Sequence, residues 1–367
     1  MFLENALRYD VEVDVLDPDA DCSCARIATR FTQGCFDDKD TVLRFAKDAD
    51  VVGIEIEHVS VEALDELKAQ GKTVIPDPGV LRVIKDKGLQ KSFYREHGIP
   101  TEEFVLIDAP SQVADHASLL PAFLKSRTGG YDGKGVMSIA TPEDAGRAFE
   151  GPCVLEKRTD IALELAVMVV RSRKGAQAVY DPVEMVFDPR FNLVDHLRAP
   201  ARIAPEMADR ARELGLRVAE AFHAPGIYAV EMFLTRGGDL LVNETAPRAH
   251  NSGHHTIEAC ASSQFDQLLR LYMGWPLGDT GLRGHAAMIN LVGEGGTGPA
   301  EVKGMDDVLH MPGTFVHLYG KKETRTGRKM GHVTVLASSD TQLDQAIAVT
   351  KVHCKVGPRT DRIMDKA

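Results

Sequence analysis

Short apolar runs alternate with helix-patterned segments through residues 1–80, and this alternation constrains the fold more than any other feature of the chain. VEVDVLD at 11–17, VVGIEIEHV at 51–59 and KTVIPDP from Lys72 read as strands; TVLRFAKDAD and VEALDELKAQG between them read as helices. Strands separated by helical crossovers pair in parallel and carry their helices on the sheet faces, so the first region is expected to be an α/β layer. From about residue 81 the pattern becomes a helix, KGLQKSFYREHGIP, and then a smaller strand-rich unit. After Val170 come longer strands and helices, including ADRARELGLRVAEAFHA, and from about residue 300 mostly strands with a final helix. A chain of 367 residues can bury a core in each of these three regions.

Within the strand-rich unit lies KSRTGGYDGKG, Lys125 to Gly135. Turn chemistry alone would account for its glycines. It is not a P-loop, which needs four residues between its first glycine and Gly-Lys-Ser/Thr, and it is not a dinucleotide fingerprint, because no helix pattern follows Gly135. The flanking runs Pro121-Ala-Phe-Leu and Val136-Met-Ser-Ile predict two strands joined by a glycine-rich phosphate cover.

Gly237-Gly238, inside AVEMFLTRGGDLLVNETAPRAHNSGHH, predicts a two-residue hairpin turn. Pairing outward sets Arg236 against Asp239 and Glu231 against Glu244, two like charges on one face. A bulge would alter that register. Exposed glutamates on a solvated hairpin would be tolerable; the alternative is a hard oxygen site for magnesium, with Asn243 beside it and phosphate oxygens completing the shell. Downstream, GKKETRTGRKMGH gathers Lys321, Lys322, Arg325, Arg328 and Lys329, either as a solvated basic loop or as a hand for an anionic group. The formal net charge of −11 argues against nucleic acid or an anionic membrane as partner, and no run of about 18 apolar residues is present. MFLENALRYD has no basic secretion-signal region, so a cytoplasmic location is expected, and the scattered cysteines at 22, 24, 35, 153, 260 and 354 fit reduced thiols. His250, His254 and His255 invite a metal site, but Asn251-Ser-Gly253 between them reads as loop.

Taken together, LDPD at 16–19, KSRTGGYDGKG, VLEKRTDIALELAV, AVEMF, LVNETAPRAHNSGH, MINLVG and KKETRTGRKMGHV resemble the ATP-grasp superfamily, and within it the 5-(carboxyamino)imidazole ribonucleotide synthase family of purine biosynthesis, over nearly the whole chain. The resemblance implies an α/β ATP-grasp fold: a Rossmann-like pre-ATP-grasp domain over 1–80, an ATP-grasp region over 81–295 with a lid at about 105–165, and a small mostly-β domain over 296–367. It implies a ligase that uses ATP, magnesium and bicarbonate to carboxylate 5-aminoimidazole ribonucleotide through carboxyphosphate, works as a homodimer and passes its product to a mutase.

Residue by residue, Lys87 and Lys125 would meet ATP phosphates under Gly130, Tyr131, Asp132, Gly133, Lys134, Gly135 and Val136. Glu156, Lys157, Arg158 and Thr159 would hold adenine, and Glu164 the ribose. Glu231 and Glu244 would bind magnesium beside Asn243. Tyr131, Asp132, Arg248, His250, Asn251 and Ser252 would form the aminoimidazole and bicarbonate end, with Lys125, Tyr131, Asp132 and Arg248 acting at the reacting groups, and Lys321 and Arg328 would clamp the ribonucleotide phosphate. Three departures stand out. Relatives begin with a buried strand and a Gly-Gly-Gly-Gln-Leu-Gly-type loop that would precede Met1, so the first layer is expected to lack its first strand. Lys87 stands where many relatives have arginine, and Phe187 where some have histidine. A formate-using glycinamide ribonucleotide enzyme, or an impaired ribonucleotide-binding scaffold, is the alternative.

Overall fold

The computed structural model describes residues 1–129 and 135–359. The first region contains α1 (Phe2–Arg8), β1 (Asp14–Asp17), β2 (Arg30–Gln33), α2 (Lys39–Phe45), β3 (Val51–Gly53), α3 (Val61–Ala69) and β4 (Thr73–Ile75). Its pairings are parallel, as the crossovers require: β1 with β2, and β3 with β4. No hydrogen bond joins β1 to β3, so the layer consists of two separate two-stranded ladders. The strand expected over 51–59 stops at Gly53, beyond which Glu57 turns out to pair with Arg248. β2 was missed because RFTQ offers one large apolar side chain and little alternation. Val52, Ala63, Leu64, Leu67, Val74 and Leu81 form the small core.

Two capped helices lead onward. Asp77 caps α4 (Pro78–Lys85), whose first position is the proline that helix starts favour, and Asp86 caps α5 (Lys87–Glu96) by accepting from Gly88 and Leu89 N–H. Next comes a four-stranded antiparallel lid, order β5-β8-β6-β7, made of β5 (Phe104–Ile107), β6 (Ala122–Ser126), β7 (Val136–Ile139) and β8 (Cys153–Lys157). Ile107, Leu124, Ile139 and Leu155 fill its core. β6 and β7 pair with Lys125 opposite Val136, so the glycine-rich stretch does join two strands.

The body is a nine-stranded sheet in the order β14-β13-β9-β11-β12-β15-β19-β17, with β10 added on β9. From β9 onward the elements are β9 (Ile161–Arg171), β10 (Gln177–Val179), β11 (Val183–Asp188), β12 (Leu193–Ala199), α6 (Pro205–Ala221), β13 (Gly226–Thr235), β14 (Leu240–Ala246), α7 (Thr256–Ala259), α8 (Gln264–Met273), β15 (His285–Val292), β16 (Gly298–Lys303), α9 (Met305–Leu309), β17 (Thr314–Leu318), β18 (Glu323–Thr324), β19 (Lys329–Ala337), α10 (Asp340–His353) and β20 (Lys355–Pro358), of which β16, β18 and β20 form a separate three-stranded sheet. Leu165 to Val170 is an unbroken apolar run because β9 is covered on both faces. Residues of α6 pack on one side with Leu165, Val167 and Val169, and residues of α8 on the other with Met168 and Val170. β15 lies between β12 and β19, so strands of the last region continue the large sheet. Bulges interrupt the ladders at Val186/Phe187 and Leu291/Val292. Among the described residues, no helix is long and apolar enough to cross a membrane.

The Gly-Gly hairpin differs from its expected form. Thr235 N–H donates to Asp239 O and Gly238, at φ +88°, closes a three-residue loop, so Leu234 faces Leu240 and Met232 faces Val242. Asn243 is then extra on β14, and this bulge restores Glu231 opposite Glu244. Arg236 does not oppose Asp239; it donates to Asp160 instead.

Candidate active site

The floor of the site is built from three adjacent strands. Glu164 of β9 sits opposite Phe233, and Glu231 opposite both Ala166 and Glu244, so the strand period of two puts Glu164, Glu231 and Glu244 on one face. Burial pushes the Glu164 carboxyl up to about 7. Burial, together with the charges of Glu244 and Glu164, holds Glu231 well above the ordinary carboxylate range, while the ammonium of Lys87 holds Glu244 below it. Such a pair titrates in two separated steps, one carboxylate remaining ionised while its neighbour keeps a proton. Among the described residues no group of three or more His, Cys, Asp or Glu forms a metal cluster, so a cation here would take two protein carboxylates and complete its shell from elsewhere.

Cations face this floor. Lys87, at the start of α5, reaches Glu244 at 3.1 Å. Lys125 of β6 meets Glu156 at 2.7 Å and the Oδ1 of the bulged Asn243 at 3.2 Å. The base of the glycine-rich stretch is fixed by Arg127, which binds Asp86 through Nε and Nη2 at 2.6–3.1 Å, while Lys87 N–H donates to Arg127 O at 2.8 Å. Asp86 thus serves two helix N–H groups and one guanidinium. Gly88 leaves room for that guanidinium, since a Cβ there would lie 2.7 Å from Arg127 Nε. Gly130, Tyr131, Asp132, Gly133 and Lys134 lie outside the described residues.

Opposite the lid, the loop after β14 carries the next group. Arg248 Nε binds Glu57 at 2.8 Å, tying the first region to the site. Gln264, fully buried, accepts from His250 N–H at 2.8 Å, donates to His250 O at 2.9 Å and lies 2.9 Å from His254 Nδ1. One amide therefore fixes the whole turn, and Gly253 gives it room. Ser252 N–H donates to His250 Nδ1 at 3.3 Å, which places the imidazole proton on Nε2, facing Glu231 Oε1 at 3.7 Å. Burial and the nearby Arg248 and Lys329 charges bring His250 down to about 3, so the ring is neutral. Asn251 exchanges amide hydrogen bonds with Asn290 at 2.9 Å. Ser252 is 1% exposed, with its hydroxyl 2.9 Å from His250 Nδ1; its placement orients the imidazole rather than presenting a surface to a ligand. His254 stacks on His332, and no histidine metal site forms among the described residues.

The basic stretch closes the far end. Lys321 Nζ donates to Lys329 O at 2.7 Å, and Arg328 Nη1 to Glu323 O at 2.7 Å. Lys322 pairs with Asp21 at 2.6 Å, bringing this hand against the first region. On the lid, Glu156 is buried, whereas Lys157 and Arg158 are exposed and Thr159 is half-buried. Glu156 Oε1 and Glu102 Oε1 are buried without a hydrogen-bond partner. Sequence reading missed Asp86, Arg127, Glu57 and Gln264. Asp86 alone carried a signal, as a cap preceding a helix pattern.

With this geometry in view, the chain matches three family models in succession: the ribonucleotide synthetase preATP-grasp domain over 1–85, the ATP-grasp domain over 92–265, and the phosphoribosylaminoimidazole carboxylase C-terminal domain over 286–346. It is 35% identical to the N5-carboxyaminoimidazole ribonucleotide synthase of Brucella melitensis, covering 90% of this chain and 91% of that protein. It is also 35% identical to the chloroplastic phosphoribosylaminoimidazole carboxylase of Vigna aconitifolia; the match takes in 95% of this chain but spans 64% of that longer protein. The crystal structure of N5-carboxyaminoimidazole ribonucleotide synthetase from Thermotoga maritima superimposes with a TM-score of 0.90 at 38% identity, over 98% of this chain and 96% of that one. The Aspergillus clavatus N5-carboxyaminoimidazole synthase structure, in complex with ADP and 5-aminoimidazole ribonucleotide, gives a TM-score of 0.87 at 32% identity, over 96% and 94% of the two chains.

Proposed function

The chain belongs to the N5-carboxyaminoimidazole ribonucleotide synthase family of ATP-grasp ligases, and from that premise we propose that it carboxylates 5-aminoimidazole ribonucleotide at its 5-amino nitrogen, consuming ATP and bicarbonate. The observation that carries the proposal is the opposed Glu231–Glu244 pair, with Lys87 and Lys125 set against it at the foot of the glycine-rich hairpin. Such an arrangement supplies what phosphoryl transfer needs: cations for phosphate oxygens and paired carboxylates for a divalent ion.

The donor set fits magnesium, because Glu231 sits in surplus negative charge that a cation would relieve. Glu231 and Glu244 would hold the ion, which when bound neutralises charge on the transferring phosphoryl group. Lys87 and Lys125 bind the phosphates, and the partnerless Glu156 Oε1 suits the exocyclic amine of adenine. Bicarbonate oxygen attacks the γ-phosphorus and ADP leaves. Carboxyphosphate then loses phosphate, and the carbon dioxide is captured by the 5-amino nitrogen with release of one proton. His250, neutral with its proton on Nε2, donates to a bicarbonate oxygen, and Arg248 offsets its charge. Lys321 and Arg328 take the ribonucleotide phosphate, and the hairpin keeps water from the acyl phosphate. Tyr131 and Asp132, outside the described residues, are assigned to the aminoimidazole end by the family resemblance alone.

The test is phosphate release from MgATP and bicarbonate with and without 5-aminoimidazole ribonucleotide. Strong stimulation by the ribonucleotide is expected; an ATPase indifferent to it would refute the proposal.

A further inference from the structure

Three charged side chains meet behind the lysine assigned to phosphate, Lys125, and form a quartet with it. Lys91 of α5, 2% exposed, binds Glu102 and donates to Thr101 Oγ1 at 2.7 Å. Its ammonium also lies 3.7 Å from Glu156 Oε2, the atom that Lys125 contacts at 2.7 Å. Both glutamates are 3–4% exposed at the side chain. Lys91 belongs to α5, whose Tyr94 packs into the core beneath β9 and β13, Glu102 to the linker before β5, and Lys125 and Glu156 to the lid, so the quartet spans the junction between lid and floor.

Its charges sum to zero with Lys91 present. Without Lys91, two desolvated carboxylates would share the single ammonium of Lys125. A buried carboxylate deprived of its partner is strongly unfavourable, so Lys125 would be drawn back to serve both. Burial pushes the Glu102 carboxyl up, yet Lys91 and Lys125 together hold it below its ordinary range, so Lys125 already acts on both acids. We propose that Lys91 is a positioning residue which neutralises the Glu102–Glu156 pair and thereby leaves the Lys125 ammonium available to nucleotide phosphate. This rests on the nucleotide reading given above.

The charge arithmetic predicts effects of opposite sign. Lys91→Met should weaken MgATP binding at least tenfold and raise the ATP KM with much less effect on kcat, whereas Glu102→Gln, which removes an anion competing for Lys125, should leave nucleotide affinity equal to wild type or tighten it. Lys91→Met/Glu102→Gln removes one charge of each sign and should return affinity to within about threefold of wild type. Lys91→Arg should also bind normally. Affinity is read by calorimetric titration with MgATP and no ribonucleotide, so failure of wild-type carboxylation would sink the function assigned above while leaving this measurement intact. A Lys91→Met protein with normal affinity would overturn the proposal, as would weakened binding in Glu102→Gln. If Lys91→Met does not fold, the double variant decides: a folded double variant that binds MgATP normally supports the proposal, and one that binds poorly overturns it.

Discussion

Replacing Glu231 by glutamine should make the ligand-free protein more stable and the enzyme inactive. Glu231 has a side chain 13% exposed and faces Glu244 across the β13–β14 ladder. Two unit charges ~5 Å apart repel by about 3 kcal/mol at an effective dielectric near 20. Proton uptake by Glu231 relieves little of this at neutral pH, because protonating a carboxyl whose free value is about 4.3 costs nearly as much there, so about 3 kcal/mol remains. The sign follows from the raised carboxyl, which burial, Glu244 and Glu164 keep protonated to higher pH in the folded chain than in the unfolded one. Folded-state stability is therefore intact below the unfolded value of about 4.3 and declines as pH climbs toward the raised folded value. Glutamine has no such decline. Without magnesium or nucleotide, Glu231→Gln should melt a few degrees above wild type at pH 8, at ~2 °C per kcal/mol, and the gap should narrow by pH 5. Ribonucleotide-stimulated ATP turnover should fall by about 100-fold, or ~2.7 kcal/mol, as a ligand to magnesium is lost. Scanning fluorimetry across a pH series and a phosphate-release assay read the two effects. A variant that melts no higher than wild type at pH 8, or that turns over normally, would refute the reasoning.

Arg328→Ala should raise the KM for 5-aminoimidazole ribonucleotide by about 10–100-fold, the worth of one charge-assisted hydrogen bond, with the ATP KM nearly unchanged; a defect confined to ATP would contradict the phosphate hand. Gly88→Ala should lower kcat/KM for ATP roughly tenfold, because the new methyl forces Arg127 off Asp86 and frees the base of the glycine-rich stretch. Wild-type kinetics in that variant would show that the Asp86–Arg127 pair does not position the hairpin.

Local pattern carried much of the fold: strand and helix alternation gave the parallel β3–β4 pair of the first layer, though not the partner of β1, and the flanks of KSRTGGYDGKG gave the β6–β7 hairpin. The Glu231–Glu244 pairing was readable only through two offsetting errors. Turn length was taken from a dipeptide, but the loop took a third residue and a bulge at Asn243, whose Oδ1 accepts from Lys125, absorbed the difference. Lys91 and Glu102 could not be recognised, since on α5 and its linker they look like ordinary solvated positions until the lid covers them. Gln264 reads as a commonplace first-turn residue, because its three partners lie in a loop whose path the sequence does not encode locally. Arg248 and Glu57, 191 positions apart, meet only after the regions dock.

Between Glu231 on β13 and Lys329 on β19 the strand order interposes β9, β11, β12 and β15. Laid flat, at ~4.8 Å per step, the sheet would hold those strands ~24 Å apart. Yet the charge of Lys329 bears on both Glu231 and His250, and His317 of β17 reaches Glu258 of α7 at 2.7 Å. The ribbon is therefore rolled into a trough, and the bulges at Val186/Phe187 and Leu291/Val292 fall within the rolled stretch. Its two rims are the carboxylate floor of β13 and β14 and the basic stretch that leads into β19. Their separation is set by backbone curvature shared among many ladder bonds, so it is a property of the whole sheet and no single side chain can reset it.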